Sequence, residues 1–164
     1  MFKLVYILFL CVTFLLSAEY SQKNTDTDND LVPDYEDRCP NTPEGVFVTK
    51  YGCTKPIYRN IYFDHGSAYI GDKYKKIILK TSLLINEVKG YKVIVSGHTD
   101  SIADAKTNMK LSYRRAKAVE DMLIKNKVDK NRIVLSWHGE SMPVASNITS
   151  LGRSKNRRVN IILK

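Results

Sequence analysis

The sequence predicts an α/β sandwich, a β-α-β-α-β-β domain with its helices packed on one face of a mixed sheet. Three observations predict it. Short runs rich in Ile, Val and Tyr mark four strands, apolar residues at three-and-four spacing mark two helices, and each helix falls between two strands. Ile57 to Phe63 reads as the first strand. Asp72 to Val88 reads as a helix, with Tyr74, Ile77, Ile78, Thr81, Leu84, Ile85 and Val88 on one face, and Gly90 ends it. Tyr91 to Ser96 is the second strand, and its consecutive Val93, Ile94 and Val95 predict cover on both sides. The second helix runs from about Asp104, a fair N-cap, to Asn126, with Leu111, Val119, Met122 and Leu123 as its stripe. Ile133 to Trp137 is the third strand, with Trp137 expected in the core. After a long loop, Val159 to Leu163 is the fourth.

The segment ahead of this domain divides in two. Met1-Phe2-Lys3 followed by an apolar run from Leu4 to Leu16 and by Ser17-Ala18 has the form of a signal peptide over residues 1–18. At about 1.5 Å per residue such a run falls short of a hydrocarbon core of about 30 Å. Cys11 raises lipidation as a rival, but Leu10 stands where a small residue would be needed. Residues 19–56 are polar and too poor in apolar residues for a core, so they read as a linker module, and 57–164 as the globular domain. The mature chain keeps Cys39 and Cys53, an even pair that reads as a disulfide in an oxidising compartment. Closing that loop contributes about 3 kcal/mol in the chain-entropy model.

Charge is unevenly placed. Residues 19–45 hold eight acids and two bases, a balance of −6, whereas 46–164 hold nine acids and 23 bases, a balance of +14. A basic domain usually suggests nucleic acid, which an exported chain rarely meets. Anionic partners outside the cytoplasm are lipid headgroups and the carboxylates of cell-wall peptides. Charge alone favours the plainer reading, a solvated helix face bearing Lys73, Lys75, Lys76 and Lys80.

Within the acidic module, Asp26, Asp28, Asp30, Asp34 and Asp37 occupy positions 1, 3, 5, 9 and 12 of a loop. Alternate carboxylates around a tight turn can wrap a hard cation such as Ca²⁺. Leu31 stands at the sixth position in place of the usual Gly, and Asp37 at the twelfth in place of a longer Glu. Extended through Cys39-Pro40 to Gly52-Cys53, the segment resembles the thrombospondin type 3 calcium repeat, which implies a structural Ca²⁺; the alternative is an acidic solvated linker.

In the basic domain, Gly97-His98-Thr99-Asp100 follows the second strand, at the edge where open α/β sheets place ligands. Asn108, Leu111 and Arg115 share one helical face, which turns Asn108 and Arg115 towards the loop holding Asp100. An acid and an arginine so placed suit the ammonium and carboxylate of an amino acid, or form a structural salt bridge, and spacing leaves the two readings level. Gly97-His98-Thr99-Asp100-Ser101, Asn108 to Ala116 with Leu111-Ser112-Tyr113-Arg114-Arg115, Gly139-Glu140-Ser141-Met142-Pro143 and Asn156-Arg157-Arg158-Val159 together resemble the OmpA-like C-terminal domain. That resemblance implies noncovalent binding of peptidoglycan, with Asp100 and Arg115 clasping the diaminopimelate of the stem peptide. It implies Asn108 and Arg158 as supporting residues and Asp64 in the loop after the first strand.

The implied protein anchors an outer-membrane or envelope partner to the wall, in the periplasm of a Gram-negative bacterium. A calcium-dependent adhesin and a flagellar-motor-associated protein are the alternatives. No Ser sits in a nucleophile elbow and no His or Cys spacing suggests zinc, so the sequence argues against an enzyme.

Overall fold

The computed structural model describes residues 25–164. The signal peptide expected over residues 1–18, with Cys11, lies outside the described residues. The chain divides into two compact units, one ending at Lys55 and one from Pro56 to Lys164.

The larger unit runs β1 (Ile57–Tyr62), α1 (Asp72–Glu87), β2 (Val93–Gly97), α2 (Ala105–Lys125), β3 (Ile133–Trp137), α3 (Ser150–Asn156) and β4 (Arg158–Leu163). The sheet order is β1-β4-β2-β3. β4 pairs antiparallel with both β1 and β2, and β2 pairs parallel with β3. The last strand in sequence therefore fills the slot between the first two, giving the expected mixed sheet.

The helices form where the apolar stripes predict. Asp104 caps α2 by accepting from the Thr107 backbone N–H at 2.9 Å. Ile78 and Ile85 of α1 and Leu111, Ala116, Val119 and Leu123 of α2 are buried with Val93, Val95, Val159, Ile161 and Leu163 of the sheet. The α1 C-terminus is held from outside: Arg132 donates to the carbonyls of Ile85 (2.7 Å), Val88 (2.7 Å) and Tyr91 (3.0 Å). A cation here satisfies orphan carbonyls and complements the helix dipole.

Three expectations need correction. β2 is not covered on both sides: Val93 and Val95 are buried but Ile94 and Ser96 only half-buried, so the helices cover one face and the other is open. A polar row crosses that open face, with Asn160 donating to Asn60 at 2.6 Å and the Ser96 and Ser136 hydroxyls 2.7 Å apart. Trp137 is not core. It is 42% exposed on the edge strand and meets Tyr113 edge-on, with ring centroids 5.0 Å apart. The long loop before β4 contains α3, capped by Thr149, whose side chain accepts from Gly152 N–H. Its one large apolar residue, Leu151, is 66% exposed, so no amphipathic stripe announces it. The buried Asn156 pins this loop, accepting from Val144 and Ala145 and donating to the Ala145 carbonyl.

α2 lies close on the end of β2 because residue 97 has no side chain. A Cβ on Gly97 would stand 2.1 Å from the Ser112 carbonyl oxygen. Gly97→Ala is expected to destabilise the domain by about 2 kcal/mol or more, as overpacking against backbone does, measured by urea denaturation; an unchanged midpoint would show that α2 and the end of β2 have room for a methyl group.

Candidate functional site

Beyond β2 the chain enters a buried strand end. His98, Thr99 and Asp100 are at most 4% exposed. His98 N–H donates to the Arg158 carbonyl and Thr99 N–H to that of Gly139, each at 2.9 Å, while His138 N–H donates to the Gly97 carbonyl. The strand end is thus stitched to its neighbours on both sides. Asp100 presents Oδ2 at 3.0 Å from Arg157 Nη1 and 3.7 Å from Nδ1 of the exposed His65. Arg157, at the C-terminus of α3, also donates through Nε to the Phe63 carbonyl.

Arg115 is the largest fully buried side chain among the described residues. Its guanidinium gives one hydrogen bond from each nitrogen: Nε to the Ser67 carbonyl (2.8 Å), Nη1 to that of His98 (2.9 Å) and Nη2 to that of Asp64 (2.9 Å). It lies over the Phe63 ring, 5.2 Å from the centroid. Burial pushes its pKa down to about 10, against the pull of Asp100, so it stays charged at neutral pH.

The sequence-derived residues therefore fall into two groups. Asp100, Arg115 and Asp64 come together around the loop after β1. Asp64 supplies a carbonyl to Arg115, and its residue lines a cleft of about 450 Å³ with Tyr62, Tyr74, Lys155 and Arg157. Asp100 and Arg115 lie behind Arg157 and Asp64 and not in that lining, and Asn108 and Arg158 make their contacts elsewhere. Asn108 is buried and donates to the Ala103 carbonyl (2.8 Å) and to Glu140 Oε2, joining the start of α2 to the loop after β3. Arg158 is buried on the open face of the sheet, where Nε donates to Asn160 Oδ1 and Nη2 to the Met142 carbonyl. Consecutive residues entering a strand face opposite ways. Arg157, which sequence reasoning passed over for Arg158, is the one that meets Asp100. Only the junction of α3 with β4 decides which arginine does so, and α3 has no stripe to reveal it.

In the smaller unit, carboxylate oxygens of Asp26, Asp28 and Asp30 all lie within 4.8 Å of one another. Leu31 has φ of 73°, so the sharp left-handed turn that favours Gly is made here without it. Asp30 Oδ2 is buried without a hydrogen-bond partner. Burial raises the pKa of this carboxyl, and Asp28, Asp37 and Asp26 raise it further. Asp37 closes in over Gly52: a Cβ there would stand 1.9 Å from Asp37 Oδ1 and 3.0 Å from Asp30 Oδ2. Asp34 is engaged elsewhere, accepting from the Thr27 backbone N–H and hydroxyl at 2.8 and 2.9 Å. Cys39 and Cys53 form a disulfide with Cα atoms 5.0 Å apart, and Cys39 N–H donates to Asp37 Oδ1.

The OmpA family model matches residues 62–157. Outer membrane porin F of Pseudomonas aeruginosa is 36% identical over 141 residues, 82% of this chain and 40% of the porin. The chain spans from about a fifth to just over half of the length of the first curated relatives it matches. The peptidoglycan-associated lipoprotein of Burkholderia pseudomallei shares the fold, with a TM-score of 0.63 at 24% identity over 65% of this chain and 90% of that one. The cell wall anchor of the T6SS from Pseudomonas aeruginosa aligns with a TM-score of 0.58 at 31% identity, over 68% of this chain and 83% of that one.

Two outcomes follow from the charges. Arg115→Met takes a donor from three carbonyls, of which that of Asp64 keeps only the Ser67 N–H. It is expected to cost about 3 kcal/mol in denaturant unfolding and to strip amide-exchange protection around residues 64–67. Arg115→Lys keeps the charge, yet one ammonium cannot span three carbonyls as a planar fork does, so it falls between. The second concerns His98, whose imidazole burial pushes down to about 4, with Arg158 and His138 adding to the shift. The unfolded chain takes up this proton near 6.5 and the folded chain only near 4. The domain should therefore lose about 3 kcal/mol on this account as pH falls through that window. Denaturation midpoints measured from pH 7 to pH 4 test it, and His98→Gln should flatten that part of the profile.

Proposed function

The chain belongs to the OmpA family, and from that membership we propose that its larger unit binds peptidoglycan noncovalently and anchors an outer-membrane or envelope partner to the cell wall. The observation that carries the reading is a buried carboxylate at a strand end paired with one guanidinium and within the field of a second. Asp100 pairs with Arg157 and interacts electrostatically with the buried charge of Arg115. The free end of a diaminopimelate side chain carries an ammonium and a carboxylate on one carbon, and each finds its complement here.

Exposure separates the roles of the two arginines, and charge sets that of Asp100. Asp100 receives the ammonium. Arg157, whose side chain is 18% exposed, takes the carboxylate, because a ligand can reach it. Arg115, fully enclosed, holds the Asp64–Ser67 loop in place and supplies positive potential to the same spot. Asn108 acts at one remove by fixing the Glu140 loop. The Pseudomonas protein called a cell wall anchor shares this fold at 31% identity, which favours the same role for this chain. The protein is a binding module and not an enzyme, exported and working in the periplasm.

The smaller unit's carboxylates fit a structural Ca²⁺. Asp26, Asp28, Asp30 and Asp37 would supply oxygens, and a cation would satisfy the orphaned Asp30 Oδ2. Asp34 would steady the turn through Thr27.

Purified sacculi should pull the full chain down on centrifugation. Asp100→Ala and Arg157→Ala, checked for native thermal melting, should weaken this by about tenfold or more. Folded Asp100→Ala protein that still sediments would end the reading, as would cleavage of muropeptides by the wild type. For the acidic module, added Ca²⁺ should raise the melting midpoint of the full chain and a chelator should reverse the rise, with Asp30→Asn insensitive to both. A midpoint indifferent to Ca²⁺ removes the metal.

A further inference from the structure

The open face of the sheet holds a second cavity, of about 580 Å³, lined on its polar side by Ser96, His98 and Arg158 and on its apolar side by Met142, Val144 and Ile162. Arg158 is 5% exposed, yet no carboxylate pairs with it among the described residues. Nε and Nη2 donate to Asn160 and to the Met142 carbonyl, the latter at 3.3 Å, and Nη1 has no partner. A buried guanidinium without counter-charge is expensive, and an orphaned donor adds to the cost. Arg115, buried to a similar degree, shows what satisfaction looks like: each of its three nitrogens is bonded.

A second orphan lies in the same place. His98 is 4% exposed, its ring is stacked on His138 with centroids 5.2 Å apart, and its Nδ1 also lacks a partner. The ring is uncharged at neutral pH, so it offers a hydrogen bond and not a second cation. Ser96 is already engaged with Ser136. One charged nitrogen, Arg158 Nη1, beside one neutral ring nitrogen, His98 Nδ1, gives two places to bind oxygen, which suits a two-oxygen anion better than a phosphate with three. The rim adds a second requirement. Met142 is 55% exposed and Val144 60%, flanking the cavity with apolar surface. We infer that this cavity is a binding site for a carboxylate borne on a short apolar group, such as the C-terminal residue of a peptide, with Arg158 as the anion's partner. It stands independently of Asp100 and the cleft after β1.

The test is a titration of N-acetyl-leucine into the isotope-labelled full chain, following the Arg158 Nε–H and His98 ring signals by NMR, beside N-acetyl-leucinamide. Saturable shifts with the acid and none with the amide are expected. They should be lost in Arg158→Gln and kept in Asp100→Ala. Equal response to the amide would reduce the site to an apolar groove, and no saturable response to the acid would leave only water at Arg158; either overturns the proposal. Should Arg158→Gln fail to fold, the contrast of acid with amide on the wild-type chain decides alone. Loss of sacculus binding in Asp100→Ala with the acid still bound would separate this site from the wall-binding one.

Discussion

A single buried guanidinium organises the business end of the larger unit. Arg115 rises from the middle of α2 and ends among three carbonyls from two separate segments, the loop after β1 and the strand end after β2. Helix, loop and strand end are therefore fixed by one planar group whose donors are rigidly spaced. Removing a charge from water is costly, and here the carbonyls, the Phe63 ring and the nearby Asp100 together offset it. The arrangement is over-determined: no one of those segments can move far without exposing or orphaning the cation.

The sheet topology then sorts the neighbouring arginines. β4 enters between β1 and β2, so both of its edges are paired and its side chains are held strictly to one face or the other. Arg157, at the last step before the strand, reaches Asp100. Arg158, one residue on, is committed to the open face. Two adjacent residues of one type thereby serve two chemically distinct cavities. The period-two rule of a strand makes this division without any change in composition.

Much of this was legible in the chain, and the exceptions have physical reasons. The apolar spacings of Ile78, Ile85, Leu111, Val119 and Leu123 report burial directly, so α1 and α2 are readable. The run Val93-Ile94-Val95 misleads because an apolar residue on a half-open face reads the same as one in a closed core. Trp137 misleads likewise, since an edge strand can leave a large ring in contact with one neighbour only. α3 is held by a cap and by Asn156, polar contacts that leave no periodic trace. Asp100 and Arg115 were visible as motif residues, but their partners were not. That Arg115 binds carbonyls and Asp100 binds Arg157 depends on chain segments some fifty residues away, which no local pattern encodes.

The preformed ion pair bears on how such a site would bind. Asp100 is already out of water and already neutralised by Arg157, so most of its desolvation has been met during folding. On the proposed reading, a zwitterionic head group arriving there would exchange partners: its ammonium would take Arg157's place at Asp100, and its carboxylate would take Asp100's place at Arg157. The number of ion pairs rises by one while few new charges need be buried, so the net gain at each site is modest. A ligand with only one of the two charges gains far less, because it breaks a pair and leaves one member unsatisfied. Modest affinity with a sharp demand for both charges suits attachment to a polymer that presents the same head group many times over. Each contact can release and re-form while the array as a whole stays held.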